Sequence, residues 1–224
     1  MPPAETIAFL WLGFAATHMG LSSLPVRQRL VARLGTGLFQ GLYSLIALAI
    51  FVPLVRTFFA HTHAGRWLWL IERGAALRWP MYVGMAVAFV LLAASLVRPS
   101  PAGVVPGEAR VYGVYRLTRH PLLMAIAIFG ALHCLPNGSA ADVAFFGGGV
   151  AFALLGAWHQ DRRKLALDVP GFRAFHAATP FLPFTGRETL RGLRELSPAV
   201  VAAGLLATAI VRWFHPVWFG GFAG

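Results

Sequence analysis

Six long apolar runs constrain this 224-residue chain more than any other feature of its sequence. A run of about 20 apolar residues matches the thickness of the hydrocarbon layer of a membrane. The runs are Glu5–Ser23, Leu38–Phe59, Pro80–Val97, His120–Leu135, Ala141–His159 and Ser197–Trp218. Because a backbone in lipid must satisfy its own hydrogen bonds, these segments are expected to be helices. The sequence predicts an all-α, polytopic transmembrane bundle of about six helices, built as one integral membrane domain over residues 1–224.

The composition supports a lipid bilayer as the main partner of the chain. Hydrophobic residues make up 58% and charged residues 12%, whereas a soluble domain carries roughly 25% charge. In a soluble protein the net charge of +11 would suggest nucleic acid. Here the basic residues lie between apolar runs, which favours a membrane and no nucleic-acid partner. The single cysteine, Cys134, excludes a disulfide scaffold and a multi-cysteine metal site.

The distribution of basic residues predicts the orientation in the membrane. Three loops, 24–37, 98–119 and 160–196, hold 14 of the 19 basic residues. The positive-inside rule places these loops in the cytoplasm and both termini outside. The outer loop between the second and third runs nevertheless contains Arg66, Arg73 and Arg78. Its aromatic stretch 67–71 is therefore expected to lie along the membrane interface.

Local signals predict where several helices begin and end. Thr118 is expected to cap the fourth helix, with Pro121 in its first turn. Asp142 is expected to be the N-cap of the fifth helix and the only acid near the inner part of a helix end. After the fifth helix, residues 161–184 are predicted to form a separate amphipathic helix and then a proline-containing segment. Gly147–Gly149 is expected to permit close helix packing.

Two histidines inside apolar runs are candidate metal ligands. His18 and His133 both lie among small residues, which leave room for a flat ligand. Neutral imidazole is a good axial ligand for haem iron, and an apolar slot accepts the porphyrin face. The competing interpretation is a neutral histidine bonded to a neighbouring helix. Spacing alone leaves both interpretations open.

Arg119 and His120 form a second candidate site at the predicted cytoplasmic end of the fourth helix. A helix N-terminus beside an arginine favours a carboxylate or a phosphate, such as a haem propionate or a cofactor carboxylate. The alternative is an arginine that extends towards water next to an ordinary helix cap. The sequence contains no catalytic carboxylate pair, glycine-rich phosphate loop or serine nucleophile with a base.

Several motifs, in this order, resemble the NnrU family. They are the His-x-Gly-Leu-x-Ser core within Phe14–Pro25, the stretch Tyr43–Leu48, Thr118–Pro121, Ala131–His133, Asn137-Gly138 and Thr179–Phe184. The resemblance covers most of the chain. It implies a multi-pass protein of the bacterial inner membrane that is associated with nitrite and nitric oxide reduction, and hence with denitrification. It also implies similarity to 15-cis-zeta-carotene isomerase, a haem b enzyme.

The resemblance implies a cofactor and its ligands. The haem-binding histidines of the isomerase correspond to His18 and His133. A haem-dependent cis–trans isomerisation would act on a hydrophobic small molecule, and a nitrogen-oxide role would use the iron to bind nitric oxide or pass electrons. The isomerase carries a cysteine three residues before the second ligand, where this chain has Gly130. This departure argues against thiol-dependent redox switching.

Two alternative functions stay open at this point. A cofactor-free assembly factor for nitrogen-oxide respiration would use respiratory membrane proteins as partners. The stretch Tyr115–Pro121 and the later Leu165, Gly171-Phe172 and Pro180 resemble the cofactor-binding half of isoprenylcysteine carboxyl methyltransferases. Those enzymes carry an acidic pair before that leucine, whereas this chain has basic residues at 162–164. The reversed charge argues against methyl transfer.

The predicted topology places the two histidines at different depths. His18 would lie about 8 Å from the cytoplasmic end of its helix and His133 about 20 Å from the same side. Two ligands of one iron are expected at similar depth, although helix tilt of about 20° narrows such a gap. The alternatives are a site with a single protein ligand, or a site in which His120 replaces His18 or His133.

Overall fold

A computed structural model describes residues 1–72, 74–103 and 109–220. Within those ranges the chain forms ten α-helices and no β-strand, which confirms the all-α prediction. They are α1 (Pro3–Ser22), α2 (Leu24–Leu34), α3 (Thr36–Ala60), α4 (Ala75–Val97), α5 (Val114–Leu117), α6 (Pro121–Cys134), α7 (Ala140–Ala166), α8 (Phe172–Ala178), α9 (Thr189–Arg194) and α10 (Pro198–Phe219). Each of the six apolar runs forms one helix.

Four of these helices, α3, α4, α7 and α10, are long and apolar enough to cross a membrane. Helices α1 and α2 meet the same criterion only as a pair, which is bent by 69°. Helix α6 is apolar but has only 14 residues. By length and composition the chain therefore has four candidate membrane spans, or five if the bent pair is one span. The shorter α6 is the sixth of the predicted helices. Large apolar side chains on these helices are exposed, as expected for surfaces that face lipid.

The first compact unit comprises Met1–Ile71 and His133–His159. In this unit α1 and α7 run parallel, because residues later in α1 contact residues later in α7. The Nε1 of Trp11 donates to the carbonyl of Phe145 at 3.0 Å, near one end of the pair. Ser22 meets His159 at the other end. Helix α3 closes the unit, and its Phe58 stacks on Phe145 with ring centroids 3.9 Å apart.

A small residue allows the close approach of α1 to α7. A Cβ added at Gly148 would overlap the indole of Trp11, whereas no described neighbour lies within 4 Å of the same position at Gly147. The predicted role of the glycine run in close packing therefore belongs to Gly148. Cys134 packs against the nearby core of Ile7, Leu54, Phe58, Ala141 and Phe146. It packs there as a small hydrophobic side chain.

The second compact unit comprises Glu72–Leu132 and Gln160–Gly224. Here α4 packs against α10, and Gly204 makes the contact possible because an added Cβ would lie 2.6 Å from the Cα of Val90. The short helices α5 and α9 also pack together in this unit. They bring the polar segment before α6 next to the chain that precedes α10.

The prediction of a loop over residues 24–37 was wrong, because this segment folds as α2 up to Leu34. Pro25 fits the first turn of a helix, where its missing N–H costs nothing. The residues that follow are good helix formers, with Leu30, Val31 and Leu34 at helical spacing. The backbone ends this helix at Gly35, where φ is +77°. The arginines of the predicted loop are therefore held on a helix.

The prediction that a separate helix begins after His159 was also wrong. Helix α7 continues without a break to Ala166, because residues 160–166 contain no proline or glycine. It ends before Asp168, whose φ is +48°, and Pro170. The following α8 is a separate short helix that begins after Gly171. This extension carries Asp161 into the interior of the second unit.

The start of α6 differs slightly from the prediction. The helix begins at Pro121, as expected for a proline in the first turn. Thr118 lies too early to cap it directly. Its hydroxyl instead accepts from the backbone N–H of His120 at 3.2 Å and donates to the carbonyl of Phe181 at 2.7 Å. Thr118 thus ties the segment before α6 to the proline-containing segment after α8.

The aromatic stretch 67–71 is extended and does not form a helix. Trp67 forms an isolated β-bridge with Ser139, and the Nε1 of Trp69 donates to the carbonyl of Cys134 at 3.0 Å. These side chains are exposed, and their position at a membrane interface stays a prediction. Arg73 lies outside the described residues.

Candidate functional site

His18 lies among aromatic rings in the first unit. Its imidazole stacks on Phe14 at 5.2 Å and lies 4.8 Å from the ring of Tyr43 and 5.5 Å from that of Phe152, measured between centroids. Its Nδ1 is buried and has no hydrogen-bond partner among the described residues. A buried polar atom without a partner costs about 1–3 kcal/mol. Nδ1 therefore supplies no bond to a described neighbouring helix, and the competing interpretation of His18 as a neutral histidine bonded to such a helix stays open through Nε2.

His215 on α10 is a useful comparison, because its Nδ1 is also buried without a hydrogen-bond partner among the described residues. The ring of Phe219 lies 5.4 Å away. Helix α10 is highly exposed, whereas His18 is surrounded by side chains from α1, α3 and α7. Aromatic side chains from three helices therefore surround the orphaned nitrogen at His18.

His159 and Ser22 form a polar contact on the same side of α1 as His18. The Nε2 of His159 lies 3.1 Å from the hydroxyl oxygen of Ser22. Ser22 follows His18 by four residues, so the two side chains are about one helical turn apart on one face. The hydroxyl of Tyr43 donates to the carbonyl of His18 at 3.2 Å and fixes α3 against this part of α1.

His133 occupies a different level of the same unit. Its ring stacks on Phe146 with centroids 4.8 Å apart, and its carbonyl accepts from the side chain of Asn137 at 2.8 Å. His18 contacts Phe152, which is six residues further along α7 and therefore about 9 Å along the helix axis. The structure thus brings His18 close to His159 and retains an offset in depth between His18 and His133.

Arg119 and His120 converge on one buried carboxylate in the second unit. The Oδ2 of Asp161 accepts from Arg119 Nε at 2.8 Å, and Oδ1 lies 2.8 Å from His120 Nε2. Arg119 also donates to the carbonyl of Thr179 at 2.7 Å. All three side chains are at least nine-tenths buried. The predicted anion site therefore holds an internal carboxylate, and an external one would have to compete with Asp161.

His176 lies at the more exposed edge of this cluster. Its Nε2 is 3.2 Å from an amino nitrogen of Arg119, and since a guanidinium can only donate, the imidazole is the acceptor. Desolvation lowers the pKa of His176, and repulsion by the charge of Arg119 lowers it further. The negative charge of Asp161 opposes this shift only in part. The arrangement therefore favours a neutral His176.

A second charge cluster anchors the chain before α6. Arg116 pairs with Glu188 and donates from Nε to Glu195 at 2.8 Å. Glu195 also accepts from the backbone N–H of Gly113 at 2.8 Å, where φ is +57°. These hydrogen bonds lower the pKa of Glu195 to about 2, with the largest effect from the Gly113 N–H and the next from Arg116. The hydrogen bond to Glu195 raises the pKa of Arg116.

A third polar cluster lies at the start of α7. Asp142 is the third residue of the helix, and Ser139 is its cap, because the Ser139 hydroxyl accepts from the Asp142 N–H at 3.2 Å. The prediction of Asp142 as the N-cap was therefore wrong by three residues. Asp142 also accepts from the backbone of His63 at 3.2 Å and lies 2.7 Å from its Nδ1. His63 has a φ of +61°, a conformation that this carboxylate stabilises.

Sequence reasoning missed the role of Asp161 and wrongly made Asp142 the only acid near the inner part of a helix end. Asp161 is buried within α7. With only eight acids in the chain, an aspartate two residues after a histidine at the end of an apolar run was a usable signal. The partners of Arg116 gave no such signal, because Glu188 and Glu195 are more than 70 residues away.

Across residues 1–72, 74–103 and 109–220, no three His, Cys, Asp or Glu side chains are grouped closely enough to hold a metal ion. A haem needs fewer protein ligands, because the porphyrin itself supplies four nitrogens and the protein one or two axial groups. The histidines of the first unit are thus compatible with a haem.

The NnrU family model, described as NnrU protein, matches residues 6–222. The chain belongs to the NnrU family. It is also 27% identical over 184 residues to the chloroplastic 15-cis-zeta-carotene isomerase of Zea mays, which covers 79% of this chain and 50% of the relative. The corresponding protein of Arabidopsis thaliana is 27% identical over 196 residues, with 84% and 53% covered. This NnrU chain spans about half the length of both relatives. No solved structure matches it significantly.

Proposed function

We propose that this NnrU chain binds haem b in its first unit, with His18 as an axial ligand, and that it acts as a haem-dependent cis–trans isomerase of a polyene. The observation that carries the proposal is the buried Nδ1 of His18, which has no hydrogen-bond partner among the described residues. The missing partner of this nitrogen would be accounted for if Nδ1 itself coordinated the iron.

The surroundings of His18 suit an apolar cofactor. Phe14 and Phe152 place aromatic rings beside its imidazole. Aromatic side chains at this position exclude water and pack against a porphyrin face. Tyr43 holds the carbonyl of His18 and thereby keeps the ligand-bearing turn of α1 in place.

His133 is the proposed second ligand, because the family resemblance implies it. Its offset of about 9 Å from His18 along α7 means that α6 would have to shift for both histidines to hold one haem. A site with His18 as its single protein ligand would need no such shift. When bound, haem would supply an iron that can accept electron density from a double bond or bind nitric oxide. The polypeptide supplies the ligand and a dry environment.

The names of the curated relatives support cis–trans isomerisation as the reaction class. The proposed substrate is an apolar polyene, which reaches the site from the bilayer. The proposed location is the bacterial inner membrane. A role in nitrite and nitric oxide reduction is the second proposal, and it rests on the family resemblance.

The decisive experiment is the visible spectrum of the purified protein after expression with supplemented haem. We expect a Soret band that His18→Ala abolishes and that His215→Ala leaves unchanged, since His215 is the matched orphaned histidine on an exposed helix. His133→Ala distinguishes a two-ligand site, in which the spectrum changes, from a single-ligand site. A colourless wild-type protein that is folded by circular dichroism would overturn the proposal.

The reaction is tested separately in reconstituted vesicles. Chemically reduced protein is incubated with 15-cis-zeta-carotene, and the isomers are separated by chromatography. We expect conversion by the wild type and none by His18→Ala. Haem binding without conversion would overturn the isomerase proposal, and titration of the same protein with nitric oxide would then test the second proposal.

A further inference from the structure

The contact between Ser22 and His159 lies at one end of the proposed haem site. His18 and Ser22 are on one face of α1, with Ser22 about one helical turn nearer to α2. His159 approaches this face from α7, with Nε2 3.1 Å from the Ser22 hydroxyl oxygen. A polar group thus lies beside the apolar environment of His18, in the direction of α2.

Haem has the matching polarity. Its porphyrin faces are apolar, and its two propionate carboxylates extend from one edge. We propose that the hydroxyl of Ser22, held by His159, binds a propionate carboxylate of the haem that His18 ligates. This inference rests on the proposed function and assigns to His159 a positioning role rather than a place among the axial ligands.

The hydrogen-bond chemistry of the pair suits a carboxylate. The Ser22 hydroxyl donates to the carbonyl of Met19 at 3.2 Å, so its oxygen accepts from the Nε2–H of His159. A hydroxyl rotates freely about its C–O bond, so the same proton can be redirected to an incoming carboxylate oxygen. A charged acceptor forms a stronger hydrogen bond than a neutral carbonyl. Ser22 would then donate to the propionate while His159 continues to support the hydroxyl oxygen.

The start of α2 provides an independent attraction for an anion. This 11-residue helix begins at Leu24, directly after Ser23, and no described side chain caps its N-terminus by a hydrogen bond. A helix N-terminus carries a partial positive charge that favours carboxylates. Helix α2 also bears Arg27, Arg29 and Arg33 and no acid. The three arginines add positive charge on the α2 side of Ser22, and together with the α2 N-terminus they oppose the partial negative charge of the α1 C-terminus, which ends at Ser22.

Haem dimethyl ester tests this inference, because it keeps the porphyrin and the iron but lacks both carboxylates. Binding of haem b and of the ester is measured by Soret titration of the wild type, Ser22→Ala and His159→Gln in detergent. We expect each variant to bind haem roughly tenfold more weakly, the loss of one charge-assisted hydrogen bond. We expect each to bind the ester as the wild type does. The Soret maximum should stay unchanged, since the iron ligand is retained.

Ser95→Ala is the matched control, because Ser95 also donates to the carbonyl three residues before it, at 2.7 Å from Leu92, but lies on α4. It should bind haem like the wild type. Equal weakening of haem and ester by His159→Gln, or a shifted Soret maximum in that variant, would overturn this inference and leave the proposed function intact. Failure of the wild type to bind haem would overturn both.

Discussion

The carboxylate of Asp161 and the guanidinium of Arg119 form a buried ion pair, with Oδ2 2.8 Å from Nε. The Nε2 of His120 contacts the other carboxylate oxygen of Asp161, Oδ1, at 2.8 Å. Asp161 lies near the end of α7, and Arg119 and His120 directly precede α6, so this contact fixes the start of α6 to the end of α7 within the second unit. Burial makes the cluster sensitive to the loss of a single charge, which leads to the first prediction.

Asp161→Asn is expected to reduce the free energy of unfolding by about 3–5 kcal/mol, because it leaves the charge of Arg119 buried without compensation. The measurement is equilibrium unfolding in detergent micelles, followed by circular dichroism. Asp168→Asn is the control, since Asp168 and its partner Arg173 are 77% and 71% exposed. Its loss is expected to stay below about 1 kcal/mol. Equal effects of the two substitutions would contradict a buried, structural ion pair.

The lowered pKa of His176 predicts how stability changes with pH. Because the folded-state pKa is below the ordinary value of 6.5, the unfolded chain binds a proton more readily than the folded one. The contribution of His176 to stability is therefore fully present above pH 6.5 and is lost as the pH falls through the folded-state pKa. We expect the melting temperature of the wild type to fall between pH 7.5 and pH 5. His176→Gln should show a smaller fall, and an identical pH profile in the variant would contradict the assignment.

Neighbouring glycines on α7 test the packing against α1. Gly148→Ala introduces a Cβ that overlaps Trp11, and the strain is expected to cost about 1–3 kcal/mol. Gly147→Ala meets no described neighbour within 4 Å and is expected to be neutral or stabilising by up to about 1 kcal/mol. Thermal unfolding of both variants in the same detergent gives the comparison. If Gly147→Ala proves to be the more harmful, the register of α1 on α7 is different from the one described.

His63 tests the polar cluster at the start of α7. His63→Val removes the hydrogen bond from Nδ1 to Asp142 and places a β-branched residue at a φ of +61°. The combined loss is expected to be about 2–4 kcal/mol.

His63→Asn is the matched variant, because asparagine tolerates the left-handed conformation and keeps an amide donor. It should lose less than half as much stability in chemical unfolding measurements. Similar losses for both variants would show that neither the backbone conformation nor the bond to Asp142 matters.

The sequence predicted the class of fold because lipid imposes a simple rule. Long apolar runs must become helices there, and all six did so. The same rule does not predict whether a polar segment that follows an apolar run is a helix or a loop. The helical continuation to Ala166 and the helix over residues 24–34 were missed, because loops and amphipathic helices at a membrane surface have similar compositions. Local chemistry correctly placed Pro121 in the first turn of α6 but assigned the cap of α7 to Asp142 instead of Ser139.

The sequence by itself determined that the chain is helical and apolar, and that His18 and His133 are among the few polar groups in its apolar runs. Only the tertiary structure decided their neighbours. The parallel packing of α1 and α7 brings Ser22 to His159, residues separated by 137 positions. The burial of Asp161 gives Arg119 and His120 an internal partner. Helical periodicity fixes which residues share a face, but it does not fix the register at which one helix meets another. That register depends on the packing of particular side chains, such as Trp11 in the space that Gly148 leaves open.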